Sequence, residues 1–150
     1  MSISNVLVVD DDNAVCRIVR WMLSKEPYQV QTGQSVADAF QAIERRPFDT
    51  YVLDYKLPDG TGLDVAERIR SKGSEAPIIL ISCDNASSVV SRAEKFRIFD
   101  FLQKPFSRET ICNAVKKAIG SPKAASKLSQ ADSPVSTMAT KPTKSRFWRR

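Results

Sequence analysis

Short apolar runs alternate with segments of helical periodicity along the first 120 residues of this chain. The runs are four or five residues long and contain β-branched and aromatic side chains, as buried strands do. They lie at residues 6–9 (VLVV), 28–32 (YQVQT), 50–53 (TYVL), 77–81 (PIILI) and 99–102 (FDFL). Five strands that alternate with helices predict an α/β fold, in which helices cover both faces of a mostly parallel sheet.

The segments between the runs carry apolar residues every three or four positions, which is typical of helices with one buried side. The pattern is clear at residues 15–23, 36–43 and 111–119. Two further helices are predicted around residues 61–72 and 85–96, the second with serines in its apolar pattern. In folds of this class ligands bind beyond the carboxyl ends of the strands, so a functional site is expected there.

Composition changes after residue 120. Residues 121–150 are rich in Ser, Ala, Lys, Thr and Pro, and their four lysines and three arginines against one aspartate account for the whole net charge of +6. The remaining residues carry no overall basic charge, so they show no electrostatic sign of nucleic-acid binding. We predict one folded domain over residues 1–120 and a disordered basic tail over residues 121–150.

The composition also restricts the chemistry and the compartment. Histidine is absent, which excludes the commonest general base and metal ligand. Three cysteines, Cys16, Cys83 and Cys112, show no CxxC spacing, and the N-terminal MSISN leads into the first strand without a basic and apolar leader. No apolar run approaches the ~20 residues of a membrane span. We therefore expect a cytoplasmic, reduced protein.

Polar side chains stand where the predicted strands end. The sequences VVDDD, VLDYK and LISCD follow three strands, and a lysine follows the fifth. We expect Asp10, Asp11 and Asp54 to meet in one pocket, with Ser82 and Lys104 beside them. Two carboxylates ~4 Å apart repel by roughly 4 kcal/mol at an effective dielectric near 20, so a cation must offset their charge. An all-oxygen site suits Mg²⁺, which accepts phosphate oxygens as further ligands, and a carboxylate can serve as the nucleophile.

Four motifs in this order resemble the receiver domain of two-component response regulators. They are VVDD at residues 8–11, VLDYKLPDGTGLD at 52–64, IILIS at 78–82 and DFLQKPF at 100–106. The resemblance covers residues 3–120. It implies a doubly wound, flavodoxin-like sheet of five parallel strands in the order 2-1-3-4-5.

The resemblance also implies a role for each acidic residue near the strand ends. Asp54 corresponds to the phosphoacceptor, and Asp11 to a direct ligand of Mg²⁺. Asp10 corresponds to its neighbour, which acts largely through water, and Lys56 would bind the metal through its backbone carbonyl. Asp12 would begin the first helix, where a carboxylate meets the positive end of the helix dipole.

Three further residues carry the response to phosphorylation in the family that this sequence resembles. Ser82 corresponds to the hydroxyl residue that turns toward the phosphoryl group, and Lys104 to the lysine that binds it. Phe101 corresponds to the aromatic residue that moves inward. These movements would reshape the surface formed by the fourth helix, the fifth strand and the fifth helix, where a downstream target protein would bind.

The resemblance implies a signalling protein and not an enzyme, with at most self-phosphorylation from small phosphodonors and slow self-dephosphorylation. Because the chain has no histidine, the donor would be a sensor histidine kinase or a histidine phosphotransfer protein. We expect a stand-alone receiver without a DNA-binding output domain, either monomeric or dimeric when phosphorylated. Trp21, off the apolar side of the first helix, is either a kinase contact or a half-buried flank.

Two local features depart from the common receiver pattern. Arg97 and Ile98 stand where receivers commonly carry Gly-Ala, so the turn before the fifth strand is either strained or built differently. Lys56 and Asp84 each follow a pocket residue by two positions. We hypothesise that they pair over the phosphoryl group and slow its loss.

Two alternative functions are compatible with the sequence. Asp59, Gly60 and Thr61 echo the DGT motif of haloacid-dehalogenase-like phosphatases, but that family needs its nucleophilic Asp two positions earlier, where this chain has Leu57. The other alternative is a receiver-derived adaptor that acts through its basic tail. There, SRFWRR at residues 145–150 combines arginines with aromatic rings and could bind an acidic partner, an anionic membrane, nucleic acid or a cyclic dinucleotide.

Overall fold

A computed structural model describes residues 3–83 and 87–120. The predicted tail at residues 121–150 and the predicted pairing partner Asp84 lie outside the described residues. No helix in the described ranges is long and apolar enough to cross a membrane.

Five parallel strands form one sheet, in agreement with the five apolar runs of the sequence. The strands are β1 (Ser4–Val9), β2 (Tyr28–Gly33), β3 (Thr50–Asp54), β4 (Ile78–Ser82) and β5 (Asp100–Gln103). Their spatial order is 2-1-3-4-5, which confirms the predicted topology. A two-stranded hairpin, Lys56–Leu57 with Gly60–Thr61, follows β3 and was not predicted.

Five helices connect and follow the strands. They are α1 (Asn13–Met22), α2 (Val36–Arg45), α3 (Gly62–Ser71), α4 (Ser87–Ala93) and α5 (Arg108–Gly120). A 3₁₀ turn, Glu94–Phe96, directly follows α4, so the described part of the predicted segment, residues 87–96, is helical throughout.

The sheet separates two apolar layers, because successive residues of a strand point to opposite faces. Leu7 and Val9 of β1 face a layer built with α2, α3 and α4. Val6 and Val8 face the layer built with α1 and α5. All four side chains are fully buried, as the continuous apolar runs predict for a sheet covered on both sides.

Short polar side chains begin the helices that lead away from the strand ends. Asp12 caps α1 by accepting a hydrogen bond from the N–H of Ala14 at 2.9 Å, as expected from the sequence. Ser35 caps α2 in the same way through the N–H of Asp38. Thr61 and Asp64 form a reciprocal capping box at α3. These caps satisfy backbone N–H groups that a helix start leaves without partners.

The turn before β5 contains Arg97 and Ile98, at the position where receivers commonly carry Gly-Ala. Arg97 adopts the left-handed conformation, with φ 55° and ψ 53°. The Arg70 guanidinium donates hydrogen bonds to the carbonyls of Phe96 and Arg97 at 2.9 and 3.0 Å. It also donates to Ser74 and Ala76 in the loop after α3. Of the two alternatives, the first is confirmed: Arg97 takes the strained left-handed conformation, and the Arg70 side chain holds the turn.

Candidate functional site

Three carboxylates meet at the carboxyl edge of the sheet. Asp10 and Asp11 directly follow β1, and Asp54 is the last residue of the neighbouring strand β3. One oxygen from each carboxylate lies within 4.8 Å of the other two. Asp10 is fully buried, Asp54 is 5% exposed and Asp11 is exposed. The structure therefore brings together the acidic cluster that the strand ends predicted.

Lys104 supplies the positive charge of this pocket. It follows β5, and its backbone N–H donates to the carbonyl of Ser82 at 2.7 Å, which ties it to the end of β4. Its Nζ lies 2.7 Å from Oδ2 of Asp10 and 3.3 Å from Oδ2 of Asp54. One ammonium group thus bridges the two buried carboxylates.

The surroundings of Asp54 disfavour the ionised form of its carboxyl group. Burial, together with the nearby charge of Asp10, raises the pKa of Asp54 to about 6, although Lys104 opposes this shift. Burial also disfavours the charged form of Lys104, but the close approach of Asp10 and Asp54 outweighs it and raises the pKa of Lys104. At neutral pH the pocket therefore favours an ionised Asp54 carboxylate beside a protonated Lys104 amine.

The residues present fit a divalent cation that prefers oxygen ligands. Asp10 is buried and its Oδ2 makes no aligned hydrogen bond within the described part of the chain, although Lys104 lies close to it. Its other oxygen accepts the N–H of Asp12 at 2.9 Å. Three carboxylates with one bridging lysine leave negative charge in excess, and a hard cation such as Mg²⁺ would offset it.

The other predicted site residues lie around this edge. Ser82 is buried at the end of β4, one position beyond Ile81, the residue that aligns with Asp54. Phe101 is half-buried on β5 and packs against the layer of α2, α3 and α4. Lys56 begins the hairpin directly beyond the pocket and is exposed. Its proposed carbonyl contact with a metal stays a prediction, as does its pairing with Asp84.

Gly62 supports the site and was missed by sequence reasoning. A Cβ atom at this position would lie 2.5 Å from the carbonyl oxygen of Asp54 and 3.0 Å from Leu80. The N–H of Gly62 donates to the carbonyl of Tyr55 at 2.8 Å. A glycine here therefore lets α3 begin against the backbone of the candidate phosphoacceptor. The GTG sequence at residues 60–62 was a visible signal, but its partner depends on the fold.

Asp59, the residue that suggested a phosphatase motif, has a structural partner instead. Its two carboxylate oxygens accept the N–H groups of Val36 and Ala37 at 2.7 and 3.0 Å, and these bonds lower the pKa of Asp59. The carboxylate therefore caps α2 and ties the loop after β3 to that helix. It is not a member of the acidic cluster found among the described residues.

Trp21 lies at the end of α1 and is 66% exposed, with the guanidinium of Arg108 5.9 Å from its ring centre. Ile18, one turn earlier on the same helix, is 51% exposed. The half-buried alternative for Trp21 is therefore wrong, because the ring lies mostly outside the apolar layers. These side chains leave an apolar patch on α1 that is open to a partner.

Comparisons with known proteins agree with this geometry. The family model described as the response regulator receiver domain matches residues 6–116. The chain is 34% identical over 125 residues to the transcriptional regulatory protein KdpE of Mycobacterium tuberculosis, covering 83% of this chain and 55% of KdpE. It is 29% identical over 120 residues to the response regulator protein PilR of Pseudomonas aeruginosa, covering 77% of this chain and 27% of PilR. This chain thus spans about a quarter to a half of these relatives.

The fold is also shared with a solved structure of a response regulator receiver domain protein (CheY-like) from Methanospirillum hungatei JF-1. The TM-score is 0.77 at 20% sequence identity, and the match covers 84% of this chain and 99% of that one. Identity this low shows the likeness of fold alone.

Proposed function

Because this chain belongs to the response regulator receiver domain family of two-component signalling, we propose that Asp54 accepts a phosphoryl group from a phosphohistidine of a partner protein. The observation that carries the proposal is the position of Asp54, which lies between the bridging Lys104 and two further carboxylates at the sheet edge. The partner would be a sensor histidine kinase or a histidine phosphotransfer protein. The exposed Trp21 and Ile18 on α1 are candidate contacts for it.

The transfer is a displacement at phosphorus. An ionised carboxylate oxygen of Asp54 forms the new bond to phosphorus, while the bond to the donor's imidazole nitrogen breaks and its electron pair returns to the ring. Lys104 lies 3.3 Å from the same carboxylate and can donate a hydrogen bond to an oxygen of the transferred group.

Asp10, Asp11 and Asp54 would hold a magnesium ion, with the carbonyl of Lys56 as a further proposed ligand. When bound, the ion neutralises charge on the carboxylates and on the phosphoryl oxygens. The buried Asp10 oxygen without an aligned hydrogen bond supports this assignment. The same Asp10 oxygen lies next to Lys104 and would keep the lysine oriented toward Asp54.

Phosphorylation would change the surface of the molecule through the end of β4. In this proposal Ser82 turns toward the phosphoryl group, Phe101 moves inward, and the face formed by α4, β5 and α5 is reshaped for a downstream protein. The burial of Ser82 beside the pocket and the half-buried position of Phe101 support it.

The described cysteines Cys16, Cys83 and Cys112 are free thiols, in keeping with a reducing, cytoplasmic setting.

The experiment is labelling with radioactive acetyl phosphate and with a phosphorylated histidine kinase, each with and without Mg²⁺. We expect one equivalent of label that requires Mg²⁺, is lost in Asp54→Asn and persists in the control Glu109→Gln, which removes an exposed carboxylate of α5. Equal labelling of Asp54→Asn and the native chain would contradict the proposal.

A further inference from the structure

A contact between Tyr55 and Arg92 joins the candidate phosphoacceptor loop to α4. The Arg92 guanidinium donates a hydrogen bond to the Tyr55 hydroxyl at 2.6 Å, and its carbon atom lies 5.9 Å from the ring centre. A cation above an aromatic face that also donates to the ring's hydroxyl makes two favourable contacts at once.

The Tyr55 end of the contact is tied to the pocket through its backbone. Tyr55 directly follows Asp54, its N–H donates to the carbonyl of Ile81 at 2.8 Å, and its carbonyl accepts the N–H of Gly62 at 2.8 Å. Its half-buried ring packs against the same apolar layer as Phe101. The hydroxyl that Arg92 meets is therefore held on a rigid support.

The Arg92 end lies on α4, which has fewer described residues than the other four helices. α4 has seven residues, and the buried apolar side chains described for it are Val89 and Ala93. By contrast, α5 has thirteen residues and buries four. A side-chain contact to a fixed loop contributes a larger share of the stabilisation of a short helix than of a long one.

The two ends of the contact lie on different segments, the loop after β3 and α4. In the proposed function the relative position of these segments changes on phosphorylation. Ser82, at the end of β4, is followed by α4 five residues later. In the proposed function the face formed by α4, β5 and α5 is reshaped on phosphorylation, and a shift of α4 would displace Arg92 relative to Tyr55. The contact opposes that movement in the resting protein.

We propose that the Tyr55–Arg92 contact is a latch that favours the resting position of α4 and thereby slows phosphorylation of Asp54. This inference rests on the proposed function. Loss of the latch raises the population of the conformation that phosphorylation favours, so a phosphodonor meets a larger competent fraction.

Two substitutions and their combination test the latch. Tyr55→Phe removes the hydroxyl and keeps the ring, whereas Arg92→Met removes the donor. Tyr55→Phe is expected to speed labelling by acetyl phosphate about three- to tenfold in the native background, the range for one hydrogen bond, and to have no effect in the Arg92→Met background. Hydrogen exchange of the α4 amides in the unphosphorylated protein should quicken in Tyr55→Phe.

Arg68→Met is the matched control. Arg68 lies 5.1 Å from the ring of Phe40 and hydrogen-bonds Glu44, a similar exposed contact that joins α3 to α2 and not to α4. It should leave labelling and α4 exchange unchanged.

Three results would overturn the latch. The first is a labelling rate of Tyr55→Phe equal to that of the native chain, and the second is an equal increase of the labelling rate in both backgrounds. The third is an unchanged rate of hydrogen exchange at the α4 amides of Tyr55→Phe. If the native chain takes no label at all, the proposed function fails. The exchange of α4 in Tyr55→Phe then decides alone whether the contact holds that helix.

Discussion

At the scale of single residues, the charges of the two buried carboxylates, Asp10 and Asp54, are offset in part by the ammonium group of Lys104. Asp54 has its pKa raised to about 6, above the 3.8 of the unfolded chain, so its ionised form opposes folding. This opposition is absent below about pH 4 and is fully present once the pH exceeds the folded-state value.

The substitution Asp54→Asn should therefore stabilise the metal-free protein at neutral pH. We expect the free energy of unfolding to rise by about 1–3 kcal/mol near pH 7.5 and to change little near pH 3.5, where the carboxyl is largely protonated in both the folded and the unfolded chain. Urea unfolding in the presence of a chelator measures both. A loss of stability of equal size at both pH values would contradict the account.

Removal of the base should have the opposite effect. In Lys104→Met the fully buried Asp10 loses the cation 2.7 Å away. We expect the free energy of unfolding to fall by about 2–4 kcal/mol in metal-free solution, and Mg²⁺ to restore part of it.

A matched control for this lysine is Lys116→Met, which breaks an exposed pair with Glu26 at 3.6 Å and should change stability by less than about 1 kcal/mol. Losses of equal size in the two variants would show that Lys104 does not neutralise buried charge.

Sequence reasoning works at this scale where strand topology decides proximity. Asp10, Asp11 and Asp54 could be grouped because parallel strands end at one edge of a sheet. The Tyr55–Arg92 contact could not, since it depends on where a short helix lies after a loop. The hydrogen bonds of Asp59 to α2 likewise join segments 22 and 23 residues apart.

At the scale of elements, the turn between the 3₁₀ segment and β5 departs from the Gly-Ala pattern common in receivers. Arg97 adopts a left-handed conformation that glycine takes without strain. The neighbouring Arg70 is half-buried, and desolvation with the nearby charge of Arg97 lowers the pKa of Arg70 to about 10, so it remains charged at neutral pH. Its four backbone hydrogen bonds keep the turn in place.

We expect Arg97→Gly to raise the free energy of unfolding by about 0.5–1 kcal/mol, because relief of backbone strain outweighs the added freedom of the unfolded chain. Arg97→Ala removes the same charge and keeps the strain, so it should not stabilise to the same extent. Thermal unfolding of the two variants side by side measures the difference. Equal stability would show that the backbone at residue 97 is unstrained.

Helices and strands were predictable wherever one side of the element is buried. The five apolar runs match the five strands because both faces of each strand meet a helical layer. The predicted segment 85–96 was harder to define, since its described residues 87–96 divide into α4 and a 3₁₀ turn, and the buried side chains described for them are Val89 and Ala93. The hairpin after β3 has two-residue strands, too short for any periodicity to be visible.

At the scale of the whole molecule, the fold sets the acidic cluster, Ser82 and Lys104 on one edge of the sheet. Four segments far apart in sequence contribute to it: the ends of β1, β3 and β4, and the residue after β5. This convergence followed from the alternation of strands and helices alone. The residue roles came from the receiver resemblance, and the family match over residues 6–116 supports that resemblance.

The relatives that this chain matches are longer than the matched receiver region. KdpE and PilR are matched over 55% and 27% of their lengths, so their names describe longer proteins than the part aligned here. A stand-alone receiver and a partner for the basic residues 121–150 therefore remain predictions from the sequence.

The most direct test of the account is to locate the phosphoryl group on the chain. The protein is labelled with acetyl phosphate and Mg²⁺, reduced with borohydride to mark the acyl phosphate, and its peptides are sequenced by mass spectrometry. The account predicts a single modified residue, Asp54. A modification on Asp10, Asp11 or a residue outside the pocket, with Asp54 unchanged, would contradict it.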